Sequence, residues 1–288
     1  MPWHDGTMDN SVDIRPMAGR DIDVALEWAA AEGWNPGLAD ADAFLGTDPP
    51  GFLMAWHGDE PAACISVVSY GDAYGFLGFY IAAPAFRGRG FGWATWNAGM
   101  ARLGTRVVGL DGVVAQQDNY RRSGFDLAHR NVRYEGLSRS DFPADPRLAR
   151  IGQGILPSIL AYDRAFFAAP REAFVSRWTR EGGRTGYALV DGGDIAGYGV
   201  IRPCRLGHKI GPLFAETPGD AETLFRALSS TVKGETIILD PPEPNDEALA
   251  LAERHDLSPV FETARMYRGP APDLPLGRTF GITTFELG

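Results

Sequence analysis

Apolar residues recur at three- and four-residue intervals through Asp21–Ala31, which predicts an amphipathic helix stopped by the loop Gly33-Trp34-Asn35-Pro36-Gly37. A shorter helix is predicted over Asp40–Leu45. The pattern then shortens to strand-like apolar runs at Phe52–His57 and 62–69, joined by Gly58-Asp59-Glu60-Pro61 as a hairpin. A third strand over 75–82 runs into Pro84 and an Arg/Gly-rich turn. From residue 90 to 103 the composition is helical, and 106–112 again reads as a strand. Gln117–Arg122 forms a short helix closed at Gly124, followed by a strand over 127–134.

The second half repeats this order. Residues 187–190 and 195–201, around Asp191-Gly192-Gly193-Asp194, match the first hairpin. Residues 209–214 match the strand before the Arg/Gly turn, and 221–229 match the helix after it. Thr236–Leu239, 245–254 and 260–267 match the next strand, helix and last strand. Six elements in register predict two copies of one α/β fold, over residues 11–137 and 148–288. The polar, Pro- and Asp-containing stretch 138–147 serves as the linker.

Composition narrows the function classes. The net charge of −10 and a pI near 5.0 argue against nucleic acid or an anionic membrane surface as partner. Residues 1–145 hold most of the excess acid, with 19 Asp/Glu against 11 Lys/Arg. That surface suits a cationic substrate such as an amine, and general solubility explains it equally well. No apolar run approaches the roughly 20 residues of a membrane span, and the first residues lack a signal-peptide pattern. Cys64 and Cys204 stand far apart in apolar surroundings, so neither a disulfide framework nor a cysteine zinc site is expected, and no metal. A cytoplasmic protein is the expectation. Lysine occurs only at Lys209 and Lys233, beside 25 arginines.

The sharpest motif is Arg87-Gly88-Arg89-Gly90-Phe91-Gly92, between a predicted strand and a predicted helix. Glycines there aim several backbone N–H groups at one concavity, the helix N-terminus adds partial positive charge, and arginines add charge-assisted hydrogen bonds. It lacks the Gly-Lys-Ser/Thr of a P-loop and the spacing of a dinucleotide fingerprint. Read as Arg87-x-x-Gly90-x-Gly92, it resembles the pyrophosphate-binding motif of the GCN5-related N-acetyltransferases, the GNAT superfamily. The preceding Phe79-Tyr80-Ile81 resembles the strand end at which that family holds the pantetheine. Asn119-Tyr120-Arg121-Arg122-Ser123-Gly124-Phe125 resembles its N…Y-x-x-x-G-F segment.

The resemblance spans residues 14–134 and implies two tandem GNAT-like domains, each a mixed, mostly antiparallel sheet flanked by helices. It implies acetyl-CoA as cosubstrate, gripped by residues 87–92 with Asn119 in contact. Tyr120 would be the general acid protonating the departing thiolate. The second copy has Glu216-Thr217-Pro218-Gly219-Asp220 at the turn, with no arginine and with carboxylates that repel a pyrophosphate, so it is expected to be degenerate. The layout resembles the bacterial YitH-like tandem acetyltransferases.

The chain departs from the family at the base. Where many members place a carboxylate in the fourth strand, this sequence has Gly78. Asp72, Asp111, His129 and a carboxylate from the last segment such as Glu286 are alternatives, and a water chain to bulk solvent leads among them. Trp34 and Asn35, in the loop that borders the family's acceptor pocket, are expected to bind the substrate, a small-molecule primary amine. Tyr70, Tyr74 and Trp93 are further aromatic candidates. The competing reading is a non-catalytic acetyl-CoA-binding sensor whose second domain is an interaction module. A third is a tandem acyltransferase using a longer acyl-CoA or a thiol-bearing acceptor. Oligomeric state has no signature in the sequence.

Overall fold

The computed structural model describes residues 12–180 and 182–288, and these form a single sheet of 13 strands with helices on both faces. In the first half, β1 (Val12–Pro16), α1 (Asp21–Ala31) and α2 (Asp40–Leu45) precede β2 (Phe52–His57), β3 (Glu60–Tyr70) and β4 (Tyr74–Ala82). Then come α3 (Phe91–Leu103), β5 (Val107–Val113), α4 (Gln117–Arg122) and β6 (Asp126–Leu137). In the second half, β7 (Leu148–Arg150), α5 (Leu156–Asp163) and α6 (Glu172–Trp178) precede β8 (Thr185–Asp191), β9 (Asp194–Pro203) and β10 (His208–Ala215). The chain closes with α7 (Pro218–Ser229), β11 (Thr236–Leu239), α8 (Asp246–Arg254), β12 (Ser258–Arg268) and β13 (Thr279–Gly281). Among the described residues no helix is long and apolar enough to cross a membrane.

The halves do not keep separate sheets. The strand order is β1-β2-β3-β4-β5-β12-β6-β11-β10-β9-β8-β7, with β13 pairing β10. The last long strand of each half is therefore hydrogen-bonded to the other: β12 pairs antiparallel with β5, and β6 pairs antiparallel with β11. The two exchanged strands also pair with each other at the centre. Pairing is antiparallel throughout except for β4 with β5 and β10 with β11.

Side chains follow the exchange. Ala264 and Met266 of β12 complete the core under α3, with Trp96, Leu103 and Leu110. Val132 and Tyr134 of β6 complete the core under α7 and α8. On the opposite face, α1 and α2 of the first half share one core with α5 and α6 of the second, and Phe44 stacks on Trp178 at 6.0 Å. Buried charges cross the same boundary. Arg133 of β6 makes two hydrogen bonds to Asp240, at 2.7 and 2.8 Å, and Arg265 of β12 makes two to Asp111 of β5, at 2.8 and 2.6 Å. Asp40 of α2 receives Arg184 and Arg202. Linker residues are drawn in too: the Ser138 hydroxyl donates to the Ser229 carbonyl at 2.6 Å.

The predicted helices and strands of both repeats are present, five of them with the expected bounds and half of them longer, by one to four residues. The pattern did not reveal β1, β7, α5, α6 or β13. β1 is an edge strand with only five residues, Val-Asp-Ile-Arg-Pro, and three of them are exposed, so it carries little apolar signal.

Candidate active site

Strands β4 and β5 run parallel from Tyr74↔Val107 to Leu77↔Leu110, and beyond Leu77 the pairing stops. The cause is local. Between Ser66↔Gly78 and Cys64↔Ile81, two residues of β4, Phe79 and Tyr80, oppose the single Ile65 of β3. Phe79 sits at φ +47°, a rare value for a non-glycine residue, and the Cys64 thiol donates to its carbonyl at 3.1 Å. The bulge swings the end of β4 away from β5 and opens a cleft between the two strands.

Tyr120 lines this cleft. Its ring lies over Gly112, where a Cβ would come within 2.8 Å of Cδ2, and it stacks on Trp96 at 5.9 Å. Burial raises its phenol pKa, so the hydroxyl stays protonated through neutral pH. Trp34 and Tyr80 also line the cleft, and Tyr80 packs on Trp96 at 5.1 Å. The Trp34 carbonyl accepts from Arg133 Nη1 of β6 (3.1 Å) and from Lys209 Nζ of β10 (3.0 Å), and the second bond ties the loop to the second half.

The glycine turn lies past the end of β4. Gly88 (φ +74°) and Gly90 (φ +88°) take left-handed conformations, and Gly90 caps α3 with no side chain to occupy the first amides. Arg87 donates through Nε to the Ala82 carbonyl at 2.9 Å and pairs with Glu32. The Arg89 guanidinium lies 4.9 Å from the Phe86 ring. These residues fit an anionic pyrophosphate: a 13-residue helix presents uncapped N–H groups, and Gly88 has open space around it.

The second half closes the matching place twice over. Thr217 caps α7 by accepting from the Asp220 amide, and Asp220 puts a carboxylate in the first turn. After Ile210↔Leu239 the β10–β11 pairing ends, and β13 enters there: Leu213 pairs Gly281, Phe214 pairs Thr279, and the Ile282 amide donates to the Asp240 carbonyl. Phe280 is fully buried in that core.

Several residues singled out in the sequence face elsewhere. The Asn35 side chain exchanges two hydrogen bonds with the Leu206 main chain, at 2.8 and 2.9 Å. The Phe91 side chain is fully buried against Phe86 and His57. Phe79 lines the cleft yet buries its side chain, with that of Ile81, in the core shared with α1 and α2. The Asn119 side chain of α4 donates to Gln116, just before the helix, and accepts from Arg122. Tyr70 and Tyr74 pack on Phe167, at 4.8 and 5.3 Å.

The base candidates separate cleanly. Asp72 is exposed, 3.6 Å from Arg106. His129 does not line the cleft, and burial together with Arg265 lowers its pKa to about 3, too weak a base for an amine proton. Asp111 lines the cleft but is committed to Arg265 and to Asn131 Nδ2 (2.7 Å). Glu286 lines the cleft too.

The same segment explains Gly78. A Cβ at that position would press on the Glu286 carbonyl oxygen and stand 2.9 Å from its carbonyl carbon and Cα. Gly78→Ala is expected to destabilise the protein by about 1–3 kcal/mol through this backbone clash. A melting temperature equal to that of the wild type would contradict so close an approach.

Phe261 and Thr263 of β12, and Phe285, line the cleft without any sequence signal, because they arrive from the other half through the strand exchange. The Thr263 hydroxyl is buried and has no hydrogen-bond partner among the described residues. Among the described residues no group of three or more His, Cys, Asp or Glu is placed to hold a metal ion.

A bulged fourth strand splayed from the fifth, a glycine turn opening the next helix and a tyrosine over the splay define the fold of an acyltransferase. The chain belongs to the GCN5-related N-acetyltransferase (GNAT) family, carries two GNAT domains in tandem, and is an acyltransferase. The model of the Acetyltransferase (GNAT) family matches residues 22–125, and that of the Acetyltransferase (GNAT) domain matches 159–281. The chain is 30% identical over 275 residues to the holothin acyltransferase of a Pseudoalteromonas species, covering 95% of this chain and 94% of that one. In fold it is similar to a protein of Pyrococcus horikoshii (TM-score 0.82, 22% identity, 100% and 99% of the two chains covered). It is also similar to a tandem GNAT protein of the clavulanic acid biosynthesis pathway (TM-score 0.62, 17% identity, 91% and 100% covered).

Proposed function

We propose that the chain transfers the acetyl group of acetyl-CoA to a primary amine of a small molecule, in the cleft of the first half. The observation that carries this reading is the single splay between β4 and β5, flanked by the uncapped N-terminus of α3 and by Tyr120. The amine attacks the thioester carbon directly, the C–S bond breaks, and the thiolate takes the phenolic proton of Tyr120. Acetyl-CoA is the donor the family uses, and the glycine turn suits its pyrophosphate.

The acceptor side is small and largely apolar. Trp34, Phe261 and Phe285 wall it, and the Thr263 hydroxyl supplies one polar contact. This favours an amine with a flat apolar body and one hydrogen-bonding atom near the nitrogen. The relative named for holothin acylation supports a small-molecule acceptor. No basic surface that would suit a nucleic acid enters the reading, and we place the reaction in the cytoplasm.

Thiol release from acetyl-CoA, measured across aliphatic, aromatic and heteroaromatic amines, amino acids, polyamines and aminoglycosides, tests the reading. Release is expected with flat amines, with one acetyl-CoA bound per chain because β13 fills the second splay. A stoichiometry of two, or no release with any acceptor, would count against it.

A further inference from the structure

The segment after β13 enters the first half and is pinned on both sides of Glu286. Before it, the Ile282 amide donates to the Asp240 carbonyl at 3.0 Å. After it, the Tyr70 hydroxyl donates to the Leu287 carbonyl (3.0 Å) and Arg171 Nη1 to the Gly288 carbonyl (2.9 Å), while the Leu287 side chain is fully buried. The Thr284 hydroxyl accepts from the amides of Glu286 and Leu287, at 3.2 and 2.9 Å. A residue held this tightly has a fixed side-chain origin.

That origin is at Gly78. The main chain of Glu286 occupies the space a side chain on β4 would need, so one glycine both removes a carboxylate from the strand and admits the segment that carries another. Glu286 is 4% exposed and lines the same cleft as Tyr120. Asp111, the other carboxylate lining the cleft, is already spent on Arg265 and Asn131.

We infer that Glu286, delivered to the first half's cleft by the last segment of the second, is the catalytic base that accepts the proton of the acceptor amine. The inference rests on the acetyl-transfer reading. In the step, the amine nitrogen bonds to the thioester carbon and the carbon–sulfur bond breaks. One amine proton passes to a Glu286 carboxylate oxygen, and the Tyr120 proton passes to the leaving thiolate. Glu286 then releases its proton to solvent and Tyr120 regains one, so no other reactant is needed.

Charged groups from four surrounding elements bear on its charge. Burial raises the Glu286 pKa, and Asp40 of α2 adds to the rise. Lys209 of β10, Arg202 of β9 and Arg133 of β6 oppose it. Asp240, next to β11, is engaged by Arg133. Lys209 is itself lowered to about 8, by burial and then by Arg133. The carboxylate therefore titrates above the ordinary glutamate value, and the rate is expected to fall as pH falls through that raised pKa.

The test uses the full chain with an acceptor found by thiol release. Glu286→Gln is expected to lower kcat by about 100-fold or more, to leave the affinity for acetyl-CoA unchanged, and to erase the acidic limb of the pH profile. Glu286→Ala is expected to recover rate on addition of formate, which a purely structural role would not produce. If Glu286→Gln does not fold, Glu286→Asp is expected to keep the acidic limb at a reduced rate, and loss of the limb there overturns the inference. Wild-type release with kcat and pH profile unchanged in Glu286→Gln overturns it while leaving acetyl transfer intact. Absence of release by the wild type with every acceptor overturns both.

Discussion

Residues 1–137, expressed alone, are expected to give no folded, active half. Cutting there strips β12 from between β5 and β6, exposes the inner edge of β5, and removes Ala264 and Met266 from the core under α3. It also removes Arg265 from Asp111 and Asp240 from Arg133, leaving two formerly buried charges without partners. Breaking a buried pair from one side costs about 3–5 kcal/mol, and a domain's whole stability is about 5–15 kcal/mol. Two broken pairs, with the lost apolar contacts, are enough to exhaust it. Circular dichroism and hydrogen exchange on the fragment would check this, and co-expression with residues 138–288 is expected to restore both structure and activity. A cooperatively melting, active fragment would show that the exchanged strand is dispensable.

Tyr120→Phe is expected to lower kcat by about 10²- to 10⁴-fold, the usual range for a general acid. The substitution removes only the hydroxyl. The ring keeps its stack on Trp96 and its seat over Gly112, so the fold and the affinity for acetyl-CoA are expected to persist. The loss should therefore appear in kcat and not in the KM for acetyl-CoA. It should also shrink with an acyl donor whose thiol is more acidic, since such a leaving group needs less protonation. A variant within a few-fold of the wild type on acetyl-CoA would remove Tyr120 from the chemistry.

The two effects differ in how far they could be seen in the chain. Tyr120 stands in a short local motif, seven residues of helix and turn that any reader of the sequence meets together. The same holds for the glycine turn, where the left-handed backbone of Gly88 and Gly90 is a demand that residue type alone reveals. The absent carboxylate at Gly78 was equally visible as a gap. Its reason was not, because the atoms that fill the space belong to a residue 208 positions later.

Asn35 illustrates the reverse case. Its place in the loop beside Trp34 suggested the acceptor, yet its side chain spends both hydrogen-bonding ends on the Leu206 main chain. A loop's neighbours in sequence do not say which face it presents. Lys209, conspicuous as one of two lysines, proves to be a buried anchor of the Trp34 carbonyl.

Legible in the chain alone were the repeated order of most helices and strands, the glycine turn, the tyrosine motif and the loss of that turn in the second copy. Each of these is written in hydrophobic period or in residue types within a few positions of one another, where backbone sterics and local hydrogen bonds act. Long-range packing alone makes β6 and β12 change places, lets β13 fill the second splay, and brings Thr263, Phe285 and Glu286 to a cleft begun by β4 and β5. A strand's edge groups are the same whichever neighbour it meets, so its alternation of side chains fixes a buried face and leaves the partner to be chosen by the packing and buried charge pairs of the whole chain.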